Sequence, residues 1–318
     1  MGLILLLGLQ FLQMLLVLAA APLLTGFVRL AKARLQRRAG PPLLQVYRDL
    51  AKLIAKDAVV AEEASWLFRV APYLIFAITW IAASLVPTFE THLLFSRSGD
   101  LIVIAALLGS ARFFQMLAAL DVGTSFGGLG ASREAMFASL AEPAMLMIVF
   151  AVALVAGSSQ LSVISTFMHS GLTGLRLSMG LALVALVMVA IVETGRLPVD
   201  NPATHLELTM VHEAMVLEYS ARYLALIDLA HTLKLLLYVS LIACIFVPFG
   251  IAPSGDRLGP LLFGVAAYFA KLALAAVLLA VFETTIAKMR VFRVPNFIGA
   301  ALMLGLLGTL LLFLSATL

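Results

Sequence analysis

Between residues 192 and 220 the chain reads VETGRLPVDNPATHLELTMVHEAMVLEYS, which carries five carboxylates, Glu193, Asp200, Glu207, Glu213 and Glu218. The only fixed cation among them is Arg196, with His205 and His212 able to add charge. Pro198 and Pro202 force a non-helical stretch, and residues 203–219 beyond them can be helical. Glu207 and Glu218 are eleven residues apart, close to three turns, so they share a face while Glu213 points elsewhere. Carboxylates crowded at a low-dielectric boundary repel one another, and some are then neutral enough to take up and release protons near pH 7. The competing reading is a solvated acidic loop. The apolar neighbours Leu206, Leu208, Met210, Val211, Met215, Val216 and Leu217 weigh against full solvation.

A second constellation follows. Asp228, His231 and Lys234 recur every three residues, with Tyr238 four further on, which places all four on one stripe of a helix. A histidine between an acid and an amine can shuttle protons; alternatively, Asp228 and Lys234 pair with residues on other helices. Arg112, Asp121, Glu134, Glu142, Lys271 and Glu283 are further ionisable residues inside or at the edge of long apolar runs. Such groups cost several kcal/mol each in a bilayer and usually face a protein interior for a functional reason. We read the set as a proton path, with structural ion pairing as the alternative.

Several chemistries are excluded. The single cysteine, Cys244, can neither close an internal disulfide nor ligate an iron–sulfur cluster. No two helices offer histidines at matching depth for haem. The run 121–130, DVGTSFGGLG, lacks the spacing and the Gly-Lys-Ser/Thr of a phosphate loop and reads as a tight turn between helices. No metal site, nucleophile–base pair or nucleic-acid surface is found. The chain is expected to hold no cofactor and to catalyse nothing alone.

These residues must be positioned by membrane helices. Of 318 residues, 63% are hydrophobic and 12% charged, and mean hydropathy is +1.10; soluble domains carry about 45–50% and about 25%. Runs able to cross ~30 Å of hydrocarbon occur near 3–28, 68–88, 101–120, 136–157, 177–195, 223–248, 260–286 and 296–316. The fold class is therefore all-α, a polytopic integral membrane protein of about eight transmembrane helices, and residues 1–318 form a single membrane domain. Residues 158–176 are amphipathic and read as a short surface helix. Lys and Arg concentrate in the loops holding Arg29–Lys56, Arg133, Arg196, Arg222 and Lys288–Arg293, against Arg97, Arg176 and Arg257 opposite. The first set is expected to be cytoplasmic and both termini outside. The first helix, with its basic residues after the apolar run, reads as retained rather than cleaved. Two loops stand out: a basic one at 29–67, whose residues 43–56 are patterned as an amphipathic helix, and the acidic one at 193–222.

The order of Arg38-Ala39-Gly40-Pro41-Pro42 with Gln45, Asp49, Lys52 and Leu53, Arg133-Glu134 with Glu142, Glu193-Thr194-Gly195-Arg196 with Pro198 and Asp200, Glu207-Leu208, Glu218-Tyr219-Ser220, and Lys288-Met289-Arg290-Val291-Phe292 with Pro295 resembles a known family. It is the membrane subunit that joins the peripheral and membrane arms of respiratory complex I. The chain is still more similar to the counterpart in membrane-bound nickel–iron hydrogenases, above all formate hydrogenlyase. The wording Asn201-Pro202-Ala203-Thr204-His205 and His212-Glu213-Ala214-Met215-Val216-Leu217 follows the hydrogenase branch; the quinone-using branch typically has a further acidic, glycine-rich run there.

The resemblance implies a subunit of a bacterial or archaeal cytoplasmic membrane that couples hydrogen evolution to proton or sodium translocation. Its cytoplasmic loops, with Arg34, Arg37, Arg38, Gln45, Asp49, Lys52, Arg133 and Arg196 as docking candidates, would bind hydrogenase large and small subunits and iron–sulfur proteins. Those partners would carry the nickel–iron site and the clusters, and antiporter-like subunits would lie beside the chain in the lipid bilayer. Glu142, Glu193, Asp200, Glu207, Glu213 and Glu218 would belong to an acidic funnel between redox chemistry and ion movement. The alternatives are a quinone-site subunit of a complex I-type enzyme and a standalone ion transporter, for which no inverted repeat is visible.

Overall fold

The computed structural model describes residues 3–91, 93–170, 177–200, 210–252 and 258–317. The described residues form eleven α-helices joined by turns and two isolated β-bridges. Helix α1, Leu3–Leu35, is about 50 Å long at 1.5 Å per residue, so its last turns, with Lys32 and Arg34, extend past the hydrocarbon. The short α2, Gln45–Ile54, turns Val46 and Leu50 inward and leaves Arg48, Asp49 and Lys52 exposed. Its apolar stripe rests on Ala225 and Leu229 of a later helix rather than on lipid alone. α3, Trp66–Leu85, begins where the Ser65 hydroxyl accepts the Leu67 N–H, and α4, Leu101–Asp121, begins on Asp100 in the same way.

The remaining elements are α5 (Ser125–Ala156), α6 (Leu161–His169), α7 (Leu177–Glu193), α8 (His212–Val216), α9 (Ala221–Phe246), α10 (Leu258–Thr285) and α11 (Val294–Thr317). Seven of these helices are long and apolar enough to cross a membrane, and α7, at 17 residues, is the shorter eighth. α9 lies at the centre: 67% of its span is buried, against 22% for α10 and 28% for α11. The stripe Asp228–Tyr238 is therefore held in the interior. Leu233, Leu236, Leu237 and Leu241 of α9 pack with Ile104 of α4, Ile148 of α5 and Leu186 of α7 in the main core.

The loops segregate to two faces. On one, Glu90 pairs with Ala252 and Asp100 with Gln160. On the other, Ser220 exchanges hydrogen bonds with the Val59 backbone, and the Met289 N–H donates to Pro198 O at 2.8 Å. This second face carries the basic 29–67 segment and the described parts of the acidic one.

One element differs from the sequence reading. The glycine-rich run is mostly helix: Gly123 makes the turn at φ +69°, Thr124 accepts the Gly127 N–H at 3.3 Å, and α5 starts at Ser125. Its glycines serve close packing, since a Cβ on Gly127 would meet the Ala119 carbonyl at 2.3 Å. The short amphipathic helix expected within 158–176 is α6: Leu161 and Ile164 are fully buried on the side packed against α9, while Val163, Thr166 and His169 are exposed.

The seat of α2 is equally tight, because a Cβ on Gly26 would meet the Leu43 carbonyl at 2.3 Å, whereas Gly8 has nothing within 4 Å. Gly26→Leu is expected to lift α2 and cost about 1–3 kcal/mol, seen as a lower melting temperature of the detergent-purified protein. Gly8→Leu should leave that temperature unchanged.

Candidate functional site

Arg112 on α4 is 5% exposed. A guanidinium keeps its charge and offers five donors in a planar fork, so at this depth it must be surrounded by acceptors. Its Nη2 contacts Glu193 Oε1 at the end of α7. Its Nε lies 3.3 Å from Glu134 and its Nη1 3.3 Å from Glu142, both on α5. Glu193, 8% exposed, is shared: its second oxygen lies 2.8 Å from Lys234 Nζ on α9. The result is a linked series, Glu142–Arg112–Glu193–Lys234, with Glu134 as a branch. Three carboxylates against two cations leave one formal negative charge, a place where a proton can be held.

Two further clusters, on Glu283 and Asp200, adjoin the series. Glu283, in the last turns of α10 and 5% exposed, receives Lys32 Nζ and Arg196 Nη1, each at 3.1 Å. Asp200 receives Lys288 Nζ at 3.1 Å and the His212 backbone N–H at 3.4 Å. Arg133 Nη1 donates to Met210 O at 2.8 Å. The elements that carry these groups explain the loop geometry: α7 ends at Glu193, Gly195 turns the chain at φ +56°, and the turn aims Arg196 back at α10.

Histidines join the two groups of charges. The His212 ring lies 4.7 Å from the His231 ring, centroid to centroid, and Gln115 Nε2 is 3.1 Å from His212 Nδ1. Burial is the main influence on His212 and moves its pKa below the usual imidazole value, against the opposing charges of Glu213, Glu134 and Asp200. A cavity of about 40 Å³ is lined by Glu134, Glu193, Asp200, His212, His231 and Lys234. At ~10–15 Å³ per water it has room for about three. His212, His231 and Asp200 also wall a larger cavity of about 410 Å³, together with Arg29, Lys32, Asp49, Arg196, Glu213, Asp228 and Glu283. On the other side, Glu142, Arg112, Glu193, Ser110, Ser139 and Tyr238 line a groove of about 780 Å³ between α4 and α5. Glu142 keeps 52% of its side chain exposed there, so the ion-pair series runs from a cavity beside the basic face to a groove on the bilayer flank.

Not every residue singled out in the sequence joins this series. Glu218 is exposed, while its neighbour Tyr219 stacks on Phe68 at 3.9 Å and donates to the Phe68 carbonyl at 3.0 Å. Burial, with the Asp121 charge adding to it, pushes the Tyr219 phenol up. Asp121 accepts the Ser65 N–H at 2.9 Å and so fixes the entry to α3. Glu207 and His205 lie outside the described residues. Lys271, partly exposed on α10, has no described carboxylate within ion-pair distance. Among the docking candidates, Arg34, Arg37, Arg38 and Lys52 are exposed and Gln45 donates to Asp49 at 2.8 Å. Arg133 and Arg196 instead engage groups of the chain itself. Sequence reasoning missed Lys32 and Lys288 as partners; Lys32 meets Glu283 across 251 positions, a distance over which no spacing rule reaches.

The comparisons with known proteins agree with this architecture. The family model described as NADH dehydrogenase matches residues 8–314. Formate hydrogenlyase subunit 4 of Escherichia coli (strain K12) is 33% identical over 284 residues, covering 89% of this chain and 91% of that protein. Hydrogenase-4 component C of the same organism is 34% identical over 278 residues, 87% of each chain. Among solved structures, a chain of the membrane-bound sulfane sulfur reductase, an archaeal respiratory membrane complex, superposes with a TM-score of 0.78 at 20% identity, covering 95% of this chain and 98% of that one.

Arg112→Leu removes the cation on which three carboxylates converge and is expected to cost about 3–5 kcal/mol, read as loss of folded protein from detergent extracts. Glu142→Gln, at the exposed end, should be tolerated. His212 supplies a pH test. Its folded pKa lies below the unfolded value of about 6.5, so the unfolded chain takes the proton first as pH falls. The stability held by the neutral imidazole is complete above about pH 6.5 and is lost as pH drops below it. Melting temperature measured from pH 7.5 down to 5.5 should therefore fall less steeply in His212→Asn than in the parent.

Proposed function

This chain belongs to the NADH dehydrogenase family, and from that premise we propose that it is the membrane subunit of an energy-converting hydrogenase, coupling hydrogen evolution to proton or sodium translocation. The near-full-length likeness to formate hydrogenlyase subunit 4 and hydrogenase-4 component C supports the hydrogenase branch. The observation that carries the coupling role is the buried series Glu142–Arg112–Glu193–Lys234 between the basic-face cavity and the bilayer groove.

In this reading the basic face is cytoplasmic and the chain sits in a bacterial or archaeal cytoplasmic membrane. Hydrogenase large and small subunits and iron–sulfur proteins dock on that face, through exposed Arg34, Arg37, Arg38 and Lys52. Those partners hold the nickel–iron site and the clusters, and antiporter-like subunits lie along the membrane flank. Turnover in the docked arm changes the charge around Glu213 and Asp228 in the larger cavity. His212 and His231 stand between that cavity and Glu193. A proton arriving on Glu193 releases Lys234 and lets Arg112 bind Glu134 and Glu142 more fully. The change of charge thereby reaches Glu142, in the groove where a neighbouring subunit can respond. Ion pairs suit such a relay because a single proton changes the partner choice of every member.

A quinone-site role is favoured by one observation: the cavity beside α2, at about 410 Å³, falls within the usual range for small-molecule sites of about 300–1,000 Å³. Its lining, which includes Arg29, Lys32, Asp49, Arg196, Asp228 and Glu283, suits water and charge better than an isoprenoid tail.

Gentle detergent purification of the tagged chain, followed by mass spectrometry and metal analysis, separates the readings. Nickel, iron, hydrogenase-like subunits and hydrogen evolution are expected; bound quinone with flavin-bearing partners, or a lone chain from an intact preparation, would refute the proposal. In inverted vesicles, Glu142→Gln should keep hydrogen evolution within about twofold when the membrane is uncoupled, while ion uptake per hydrogen falls at least fivefold. Glu207→Gln and Glu218→Gln are each expected to slow coupled turnover without loss of assembly, measured as coupled rate against complex recovered.

A further inference from the structure

Every strongly buried ionisable side chain of the series described above finds an opposite charge within the chain: Arg112, Lys234 and Glu193 in one group, Glu283 with Lys32 and Arg196 in the other. Lys271 is different. It is partly exposed and no described carboxylate lies within 4 Å of its ammonium. Its depth leaves little escape. Counted along α10, Leu258–Thr285, it lies about 20 Å of helix rise from either end, so a four-carbon stem cannot carry the ammonium out to water.

Cys244 on α9 is the titratable neighbour of Lys271 and shares a hydrogen bond with Ser165. One turn earlier, Tyr268 is paired with Ser240 at 2.8 Å. None supplies a negative charge. The helix itself is sparsely covered, with 22% of its span buried. Leu274 and Leu278 are 62% and 61% exposed, and among the exposed residues beside Lys271 are two small ones, Ala270 and Ala273. Small side chains let a second helix approach closely.

We propose that the α10 flank carrying Lys271 is a contact surface for another membrane subunit, whose transmembrane helix brings an aspartate or glutamate to mid-bilayer depth and completes the ion pair. This rests on the reading of the chain as a subunit of a membrane complex. It adds a second lateral contact, since Glu142 faces the groove between α4 and α5 and Lys271 lies on α10. Two lateral contacts of opposite charge also fix which neighbour can sit on which side.

The test uses the assembled complex with a photo-crosslinking residue at Ala270 or Leu274, the adduct being sequenced by mass spectrometry. The expected adduct is a membrane helix with an acidic residue near its middle. Lys271→Met should reduce recovery of that subunit at least tenfold while the hydrogenase arm is retained. Lys271→Glu combined with a lysine at the partner's acidic position should restore it. Adducts to lipid alone, to a helix without an acidic residue, or undiminished recovery with Lys271→Met would overturn the proposal. Nickel and hydrogenase subunits are assayed in the same preparation. Their absence with the acidic helix still attached would refute the hydrogenase reading and leave this pair standing; their presence with lipid adducts alone would refute the pair.

Discussion

A guanidinium that cannot lose its charge, placed on α4 away from water, constrains everything around it. Taking such an ion out of water costs several kcal/mol even after relaxation, and only close counter-charges with good geometry offset that cost. The chain answers with carboxylates from two other helices, Glu134 and Glu142 of α5 and Glu193 of α7. Because Glu193 is itself shared with Lys234 of α9, four helices are tied at one depth. The central position of α9 and the early end of α7 both serve this meeting point.

In the proposed function the same arrangement serves both coupling and assembly. Water-accommodating space lies on the basic-face side of the series, behind His212 and His231, and a largely apolar groove that holds Glu142 lies on the other side. A carboxylate half exposed at membrane depth is at home only against another protein surface or water. In the proposed function the basic face, with exposed Arg34, Arg37 and Arg38, is the charged platform for a water-soluble arm. The bundle would then act as a connector, rigid where α9 packs and charged toward its proposed neighbours.

Much of this was legible in the sequence, for identifiable reasons. Long apolar runs gave the eight helices because hydrocarbon thickness fixes their length, and the 43–56 pattern gave α2 because one face of a short helix must be apolar. Intramembrane charges could be picked out one by one, since each is costly, and the stripe Asp228–Lys234 followed from helical spacing. Their partners could not be read. Arg112–Glu193, Lys32–Glu283 and Lys288–Asp200 join residues far apart in the chain, and tertiary packing alone decides them. The glycine-rich run misled for a related reason: glycine looks like a turn locally, and the need of α5 to approach Ala119 closely is visible only in three dimensions.

The central claim is that turnover changes the protonation of the buried carboxylate series. Infrared difference spectroscopy of the intact complex, poised before and after reduction, reads this directly through the carbonyl stretch of protonated carboxyl groups. The account predicts a difference band in that region which is lost or shifted when Glu193 or Glu142 is replaced by Gln. A spectrum unchanged by either substitution, in complexes that still turn over, would contradict it.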